Sequence, residues 1–328
     1  MGLLVNGQWQ DVWYDTKSNK GEFVRQDSVF RHWITPDGSA GPTGDSGFKA
    51  EPGRYHLYVS LACPWAHRAL IFRALKGLEE LISVSVVEPL MLDSGWTFAE
   101  GDESLYGSRY LHEIYTRAKP DITTRVTVPV LWDKQQQTIV NNESADIIRM
   151  FNSAFNHLTD NHLDYYPALL RDEIDQINAR VYPAINNGVY RAGFATEQGA
   201  YEKAYHELFN ELDELEGRLA TQRYLCGDQI TEADWRLFTT LVRFDAVYFG
   251  HFKTNRQRIA DYPHLSAYVR DLYQQPGVAG TVNMQHIKQH YYRSHLTINP
   301  TGIVPLGQEH DFMAAHGREQ FSAKESAA

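Results

Sequence analysis

Cys63 and the three residues after it carry the first chemical signal in this 328-residue chain: Cys63-Pro64-Trp65-Ala66. Tyr55, Leu57, Val59 and Leu61 alternate with more polar neighbours, which argues for a strand running into the cysteine. Proline is favoured at the first position of a helix, so Cys63 is expected as an N-cap. Unpaired N–H groups and the positive end of the macrodipole stabilise a thiolate there. Cysteines so placed titrate at roughly 3.5–7.5, against about 8.5 for an unperturbed thiol. Inert packing is the commoner fate of a lone cysteine; the strand end and the proline turn the reading toward reactivity. Position 66 decides the type of thiol chemistry. A dithiol enzyme carries C-x-x-C, and Ala66 supplies no second sulfur. A mixed disulfide on Cys63 must therefore be resolved by an external thiol.

Two further places suit a small thiol peptide. Pro129 interrupts Val126, Val128, Val130 and Trp132, which share one strand phase, and proline is normally kept out of strand interiors. A cis Val128–Pro129 bond accommodates it and opens the Val128 backbone to an extended peptide; an edge-strand proline is the plainer alternative. Glu143-Ser144 opens a helix predicted over 143–151, with Asn142 as its expected N-cap. The helix N–H groups and the Ser144 hydroxyl can hold a carboxylate while Glu143 pairs with an α-ammonium. A γ-glutamyl group carries both charges on one carbon, although capping alone would also explain the dipeptide. Glutathione, the abundant cytosolic thiol, is the candidate co-substrate.

The elements around these residues follow from periodicity. Strand 55–61, helix 63–78 and strand 82–86 make a βαβ unit, with Gly77 placed to end the helix. A long insertion from Glu88 to Arg125 follows, then strand 126–132, a turn, strand 138–140 and the helix at 143. That order is thioredoxin-like. Beyond about Leu163 strand signals stop. Tyr201, Tyr205, Leu208, Leu212, Leu215 and Leu219 form a helical stripe too short for a coiled coil, and Thr231 to Asp234 reads as a capping box. The fold class is therefore α/β plus all-α, in four segments: an aromatic-rich, irregular extension over 1–54, a thioredoxin-like domain over 55–155, an all-helical domain over 160–290 and a tail over 291–328.

Composition excludes several classes. With 31 basic and 41 acidic residues the net charge is −10, so no positive field draws the chain to nucleic acid or anionic lipid. No apolar run approaches the roughly 20 residues that span a bilayer, and Met1 to Trp9 lacks the features of a signal peptide. Two cysteines cannot build a disulfide framework, which suits a cytoplasmic setting, and Cys226 reads as structural. His286, His290 and His295 lack a nearby fourth ligand, so no metal is expected.

Cys63-Pro64-Trp65-Ala66, Val128-Pro129, Glu143-Ser144 and the helical second domain resemble the cysteine-bearing, omega-like glutathione transferases. The run from Tyr224 to Asp234 (YLCGDQITEAD) is similar to the helix-capping signature of that superfamily. More closely, the long extension, Ser60–Arg68 (SLACPWAHR), Gly95-Trp96, Asn186–Tyr190 (NNGVY) and Thr297–Gly302 (TINPTG) resemble the glutathionyl-hydroquinone reductases of the Xi class. The resemblance holds to about Val304. It implies reductive removal of glutathione from glutathionyl-hydroquinones by a homodimer. It makes Cys63 the nucleophile, sets Trp96, Arg125, Val128, Glu143 and Ser144 around glutathione, and sets Tyr190 and Tyr291 against the hydroquinone hydroxyl, with Tyr292 the neighbouring alternative to Tyr291. Two other readings stay open: a glutaredoxin-like thiol transferase or dehydroascorbate-type reductase, and a non-catalytic interaction module on the same fold.

Overall fold

The structure, a computed structural model, describes residues 2–307 and 310–321. Parts of the expected extension and tail, namely Met1, 308–309 and 322–328, lie outside the described residues. The chain forms two compact units. One holds residues up to Tyr14, 25–163 and 280–304; the other holds 15–24, 164–279 and the described residues from Pro305 on.

The first unit opens on a hairpin, β1 (Leu3–Val5) and β2 (Gln8–Gln10), where the sequence reading has only irregular chain. Asn6 and Gly7, at φ 48° and 74°, make the two-residue turn, and Asn-Gly with Leu4 opposite Trp9 across it is the local signal for it. The main sheet uses β3 (Tyr55–Val59), β4 (Ile82–Val86), β8 (Val130–Asp133) and β9 (Thr138–Asn141) in the order β4-β3-β8-β9. β3 and β4 are parallel, with Tyr55 opposite Ile82, and the other two pairings are antiparallel. α1 (Pro64–Leu75) crosses from β3 to β4, and α3 (Ser144–Ser153) follows β9 and packs on α1. This is the thioredoxin-like order. Leu57, Val59, Ile71, Phe72, Leu131 and Ile147 are fully buried in its core. Gly77 ends α1 with φ 65°, the left-handed position that glycine adopts without a Cβ clash.

Within the insertion lie β5 (Met91–Leu92), β6 (Gly95–Trp96), α2 (Leu111–Ala118) and β7 (Thr124–Arg125), which pairs with β1. α2 is absent from the sequence reading because Tyr110 precedes it instead of a capping residue. Glu113 takes over that role and accepts the Arg109 and Tyr110 N–H groups at 2.8 and 3.1 Å. A short α4 (Asn156–Thr159) follows α3.

The second unit is helical: α5 (Arg171–Val181), α6 (Gly188–Gly193), α7 (Gln198–Leu219), α8 (Glu232–Arg243), α9 (Phe249–His251) and α10 (Pro263–Tyr273), with π-helical turns at Tyr182–Asn186 and Phe244–Tyr248. Leu208, Leu212, Leu215 and Leu219 are buried along α7, as the stripe requires. α11 (Met284–Ser294), which the sequence reading divides between the all-helical domain over 160–290 and the tail from 291, belongs to the first unit and runs through Tyr291. Its polar ties explain the attachment: Met91 N–H donates to Ser294 Oγ at 3.0 Å, and the His290 ring Nδ1 lies 2.9 Å from Pro89 O.

Candidate active site

β3 ends at Val59, and a tight turn delivers Cys63 to the start of α1. Ser60 shapes that turn: its Oγ accepts the Ala62 N–H at 3.2 Å and its carbonyl accepts the Cys63 N–H at 3.2 Å. Cys63 is the N-cap, extended at φ −76° and ψ 123°, with Pro64 at the first helical position. No acidic residue stands in the first turn of α1, so its positive end has no carboxylate beside it in sequence. The half-buried thiol donates to Val128 O at 3.7 Å. One turn on, Ala66 is fully buried and His67 places a ring nitrogen 2.7 Å from the Thr281 hydroxyl. The other cysteine differs in kind. Cys226 is buried in the second unit, and burial pushes its thiol up to about 12.

The Val128–Pro129 bond is cis. β8 begins only at Val130, so Val128 stands outside the strand pairing, beside the thiol. Glu143, not Asn142, is the N-cap of α3. Its Oε1 accepts the Ala145 N–H at 3.0 Å, while Asn142 Oδ1 accepts the Phe30 N–H at 3.1 Å and its amide donates to Tyr115. Asparagine and glutamate adjoin at this helix start, and the extension claims the asparagine. The same stretch of extension reaches Glu143, where Ser28 Oγ donates to Oε2 at 3.2 Å. Ser144 is buried at the first position of α3 and accepts from Arg68 Nη1 at 3.3 Å. Arg68, itself buried, is a site residue the sequence reading does not single out. A signal exists: α1 is apolar almost all round, and a charged side chain on such a helix must find a buried partner.

Trp96, buried on β6, stacks on His290 of α11 with ring centroids 5.0 Å apart. Its indole N–H is buried with no hydrogen-bond partner among the described residues, which fits a donor awaiting an acceptor from a peptide ligand. Gly95 beside it has φ 69°, and a Cβ there would lie 2.5 Å from the Trp9 ring, so only glycine fits. Arg125 spends part of its guanidinium on the extension, donating from Nη1 to Val12 O and from Nη2 to Trp13 O at 2.9 Å, and it covers the Tyr14 ring at 4.4 Å. Burial lowers its pKa.

Tyr291 is 1% exposed inside α11, with the His290 and His295 rings 5.1 and 5.5 Å away. Burial pushes the neighbouring Tyr292 hydroxyl up to about 12. Cys63, Trp96, Arg125, Val128, Glu143, Ser144 and Tyr291 thus belong to one unit, and Tyr190 belongs to the other. Tyr190 sits within α6; its hydroxyl is 3.5 Å from that of Tyr248, and Phe252 packs at 5.4 Å. No group of three His, Cys, Asp or Glu among the described residues is arranged to hold a metal.

Two stretches of the chain match domain families: 62–154 the glutathione S-transferase N-terminal domain, and 198–271 the C-terminal domain. The chain is 58% identical over 325 residues to glutathionyl-hydroquinone reductase YqjG of Escherichia coli, covering 97% of this chain and 99% of that protein. It is 57% identical to glutathionyl-hydroquinone reductase PcpF of Sphingobium chlorophenolicum, covering 94% and 96%. The glutathione-bound structure of YqjG superposes with a TM-score of 0.89 at 54% identity, over 96% of this chain and 99% of that one. A Xi-class transferase from Natrialba magadii also gives 0.89, at 48% identity over 98% of each.

Proposed function

The chain belongs to the glutathionyl-hydroquinone reductases of the glutathione S-transferase superfamily, and from that premise we propose that Cys63 carries its reaction. The enzyme uses glutathione as co-substrate to reduce glutathionyl-hydroquinones. The Cys63 thiolate attacks the glutathionyl sulfur and forms an Sγ–S bond. The aryl C–S bond breaks, its electron pair stays with the ring carbon, and a proton from solvent or a phenol completes the hydroquinone. A second glutathione, as thiolate, attacks the glutathionyl sulfur of the mixed disulfide, releases oxidised glutathione and returns Cys63 as thiolate. The ring is reduced by two electrons and two glutathione sulfurs are oxidised to a disulfide.

The observation that supports this reading is the N-cap thiol with alanine one turn on. Val128 offers its backbone to the bound peptide, Glu143 and Ser144 take the γ-glutamyl ammonium and carboxylate, and Trp96 and Arg125 donate to the remaining carbonyl and carboxylate oxygens. Tyr291, in the same unit as Cys63, donates to a hydroquinone hydroxyl, favouring the ring tautomer from which carbon departs. The acting form is a homodimer in the cytoplasm, where glutathione is plentiful. A monothiol site also suits plain glutathionyl mixed disulfides, and that transferase activity is the second reading.

Intact mass after exposure to glutathionyl-hydroquinone without added glutathione tests the scheme. One glutathione adduct on Cys63 is expected with stoichiometric hydroquinone release, and neither should occur in Cys63→Ala. An adduct on Cys226, or release without an adduct, overturns it.

A further inference from the structure

We propose that Trp13, from the N-terminal extension, is a specificity-determining residue on which the flat phenolic ring of the substrate stacks. The inference rests on the reading above that Tyr291 meets the hydroquinone. A connected set of rings in the first unit leads from one expected ligand contact to the other and then outward. Trp96 stacks on His290, whose ring meets His295 edge-on at 5.3 Å. His295 meets Tyr291 edge-on at 5.5 Å and Trp13 at 6.4 Å, with planes at 62°. Trp96, His290, His295 and Tyr291 are all buried, whereas Trp13 is 38% exposed.

That exposure belongs to a ring whose position is fixed. Arg125 holds the Trp13 carbonyl at 2.9 Å and takes the Val12 carbonyl as well, and the Tyr14 ring stands against Trp13 at 5.6 Å and 84°. An indole anchored through its backbone and set against the Tyr14 and His295 rings still leaves 38% of its surface in solvent, at the cost of unburied apolar area. A flat arene packed against that exposed surface recovers the area and adds stacking, with little rotamer entropy left to lose. The pinning residue is the arginine that the proposed function assigns to glutathione, so both halves of a glutathionyl-hydroquinone would be read from one short stretch of the extension. A mixed disulfide with an aliphatic thiol has no ring to place there.

Steady-state kinetics of Trp13→Leu, Trp13→Ala and Trp13→Phe provide the test. The substrates are a glutathionyl-benzohydroquinone, a glutathionyl-naphthohydroquinone and the mixed disulfide of glutathione with 2-mercaptoethanol. Stacking of one flat ring is worth about 10-fold. Trp13→Leu and Trp13→Ala should lose about that in kcat/KM on the single ring, mainly through KM, and more on the fused ring. Both should stay within about twofold of the parent on the mixed disulfide, and Trp13→Phe should retain most activity on all three. Should Trp13→Ala fail to fold, Trp13→Leu and Trp13→Phe still decide. Equal losses on all three substrates, or unchanged KM on both aryl substrates, overturn the proposal. A parent enzyme inactive on both aryl substrates would instead sink the proposed function.

Discussion

Ala66 determines what Cys63 can do as much as Cys63 itself does. Both sit on the first turn of α1, three positions apart, where side chains are neighbours on one helix face. Ala66→Cys should therefore let a second thiol resolve the Cys63–glutathione disulfide internally. Stopped-flow quench with mass detection should show a shorter-lived adduct; an unchanged lifetime would mean the two positions do not face each other. This pair was legible in the sequence because strand end, cysteine and proline are adjacent and each acts locally. Arg68 and Arg125 were not legible in the same way. Whether an arginine is buried, and whether it serves a ligand or the Val12 and Trp13 carbonyls, depends on chain 76 and 112 positions distant.

Among the elements, the capping box ahead of α8 came through intact. Thr231 N–H donates to Asp234 Oδ2 at 2.7 Å, and its hydroxyl lies 3.0 Å from the same oxygen. Asp234 in turn accepts the Leu225 N–H and the Tyr268 hydroxyl at 2.9 and 2.8 Å, so one motif joins α8, α10 and the loop between α7 and α8. Thr231→Ala should cost about 1–2 kcal/mol, typical of a lost cap, read as a fall in the urea midpoint; Thr231→Ser should restore most of it. An equal loss in both would assign the effect to the Thr231 methyl. The start of α3 was misread by one residue. Asn142 has the better intrinsic capping propensity, but the extension at Phe30 and Tyr115 on α2 draw its side chain away, leaving Glu143 to cap. Propensity is a local quantity, and here two long-range partners outweighed it. The β1–β2 hairpin carried a readable Asn-Gly signal that the loop-like composition of the extension obscured.

For the molecule as a whole, acid should be destabilising through histidines that the fold keeps neutral. Burial lowers His56 in the first unit and His251 in the second to about 4. The unfolded chain binds these protons near pH 6.5, so between 6.5 and 4 it holds more protons than the native state. The stabilisation is complete above pH 6.5 and is lost as pH falls toward 4, by up to about 3 kcal/mol for each group. Urea midpoints measured from pH 7.5 to 4.5 should fall, and the slope should flatten in His56→Gln with His251→Gln; a slope untouched by both changes would place the acid sensitivity elsewhere. Connectivity bears on a different matter, how this gene can be rearranged. The chain passes from one unit to the other five times, after residues 14, 24, 163, 279 and 304. Residues 15–24 are stitched into the helical unit, where the Gly21 carbonyl accepts the Thr196 N–H at 3.1 Å and Phe23 packs on Phe194. Residues 280–304 return α11 to the sheet unit. A coding sequence cut after residue 163 therefore yields two fragments, each lacking a piece of its own unit and holding a piece of the other's. Neither half is a portable module for recombination, but expressed together the two fragments have the makings of a split enzyme, each of whose folded units can be completed only by the other fragment.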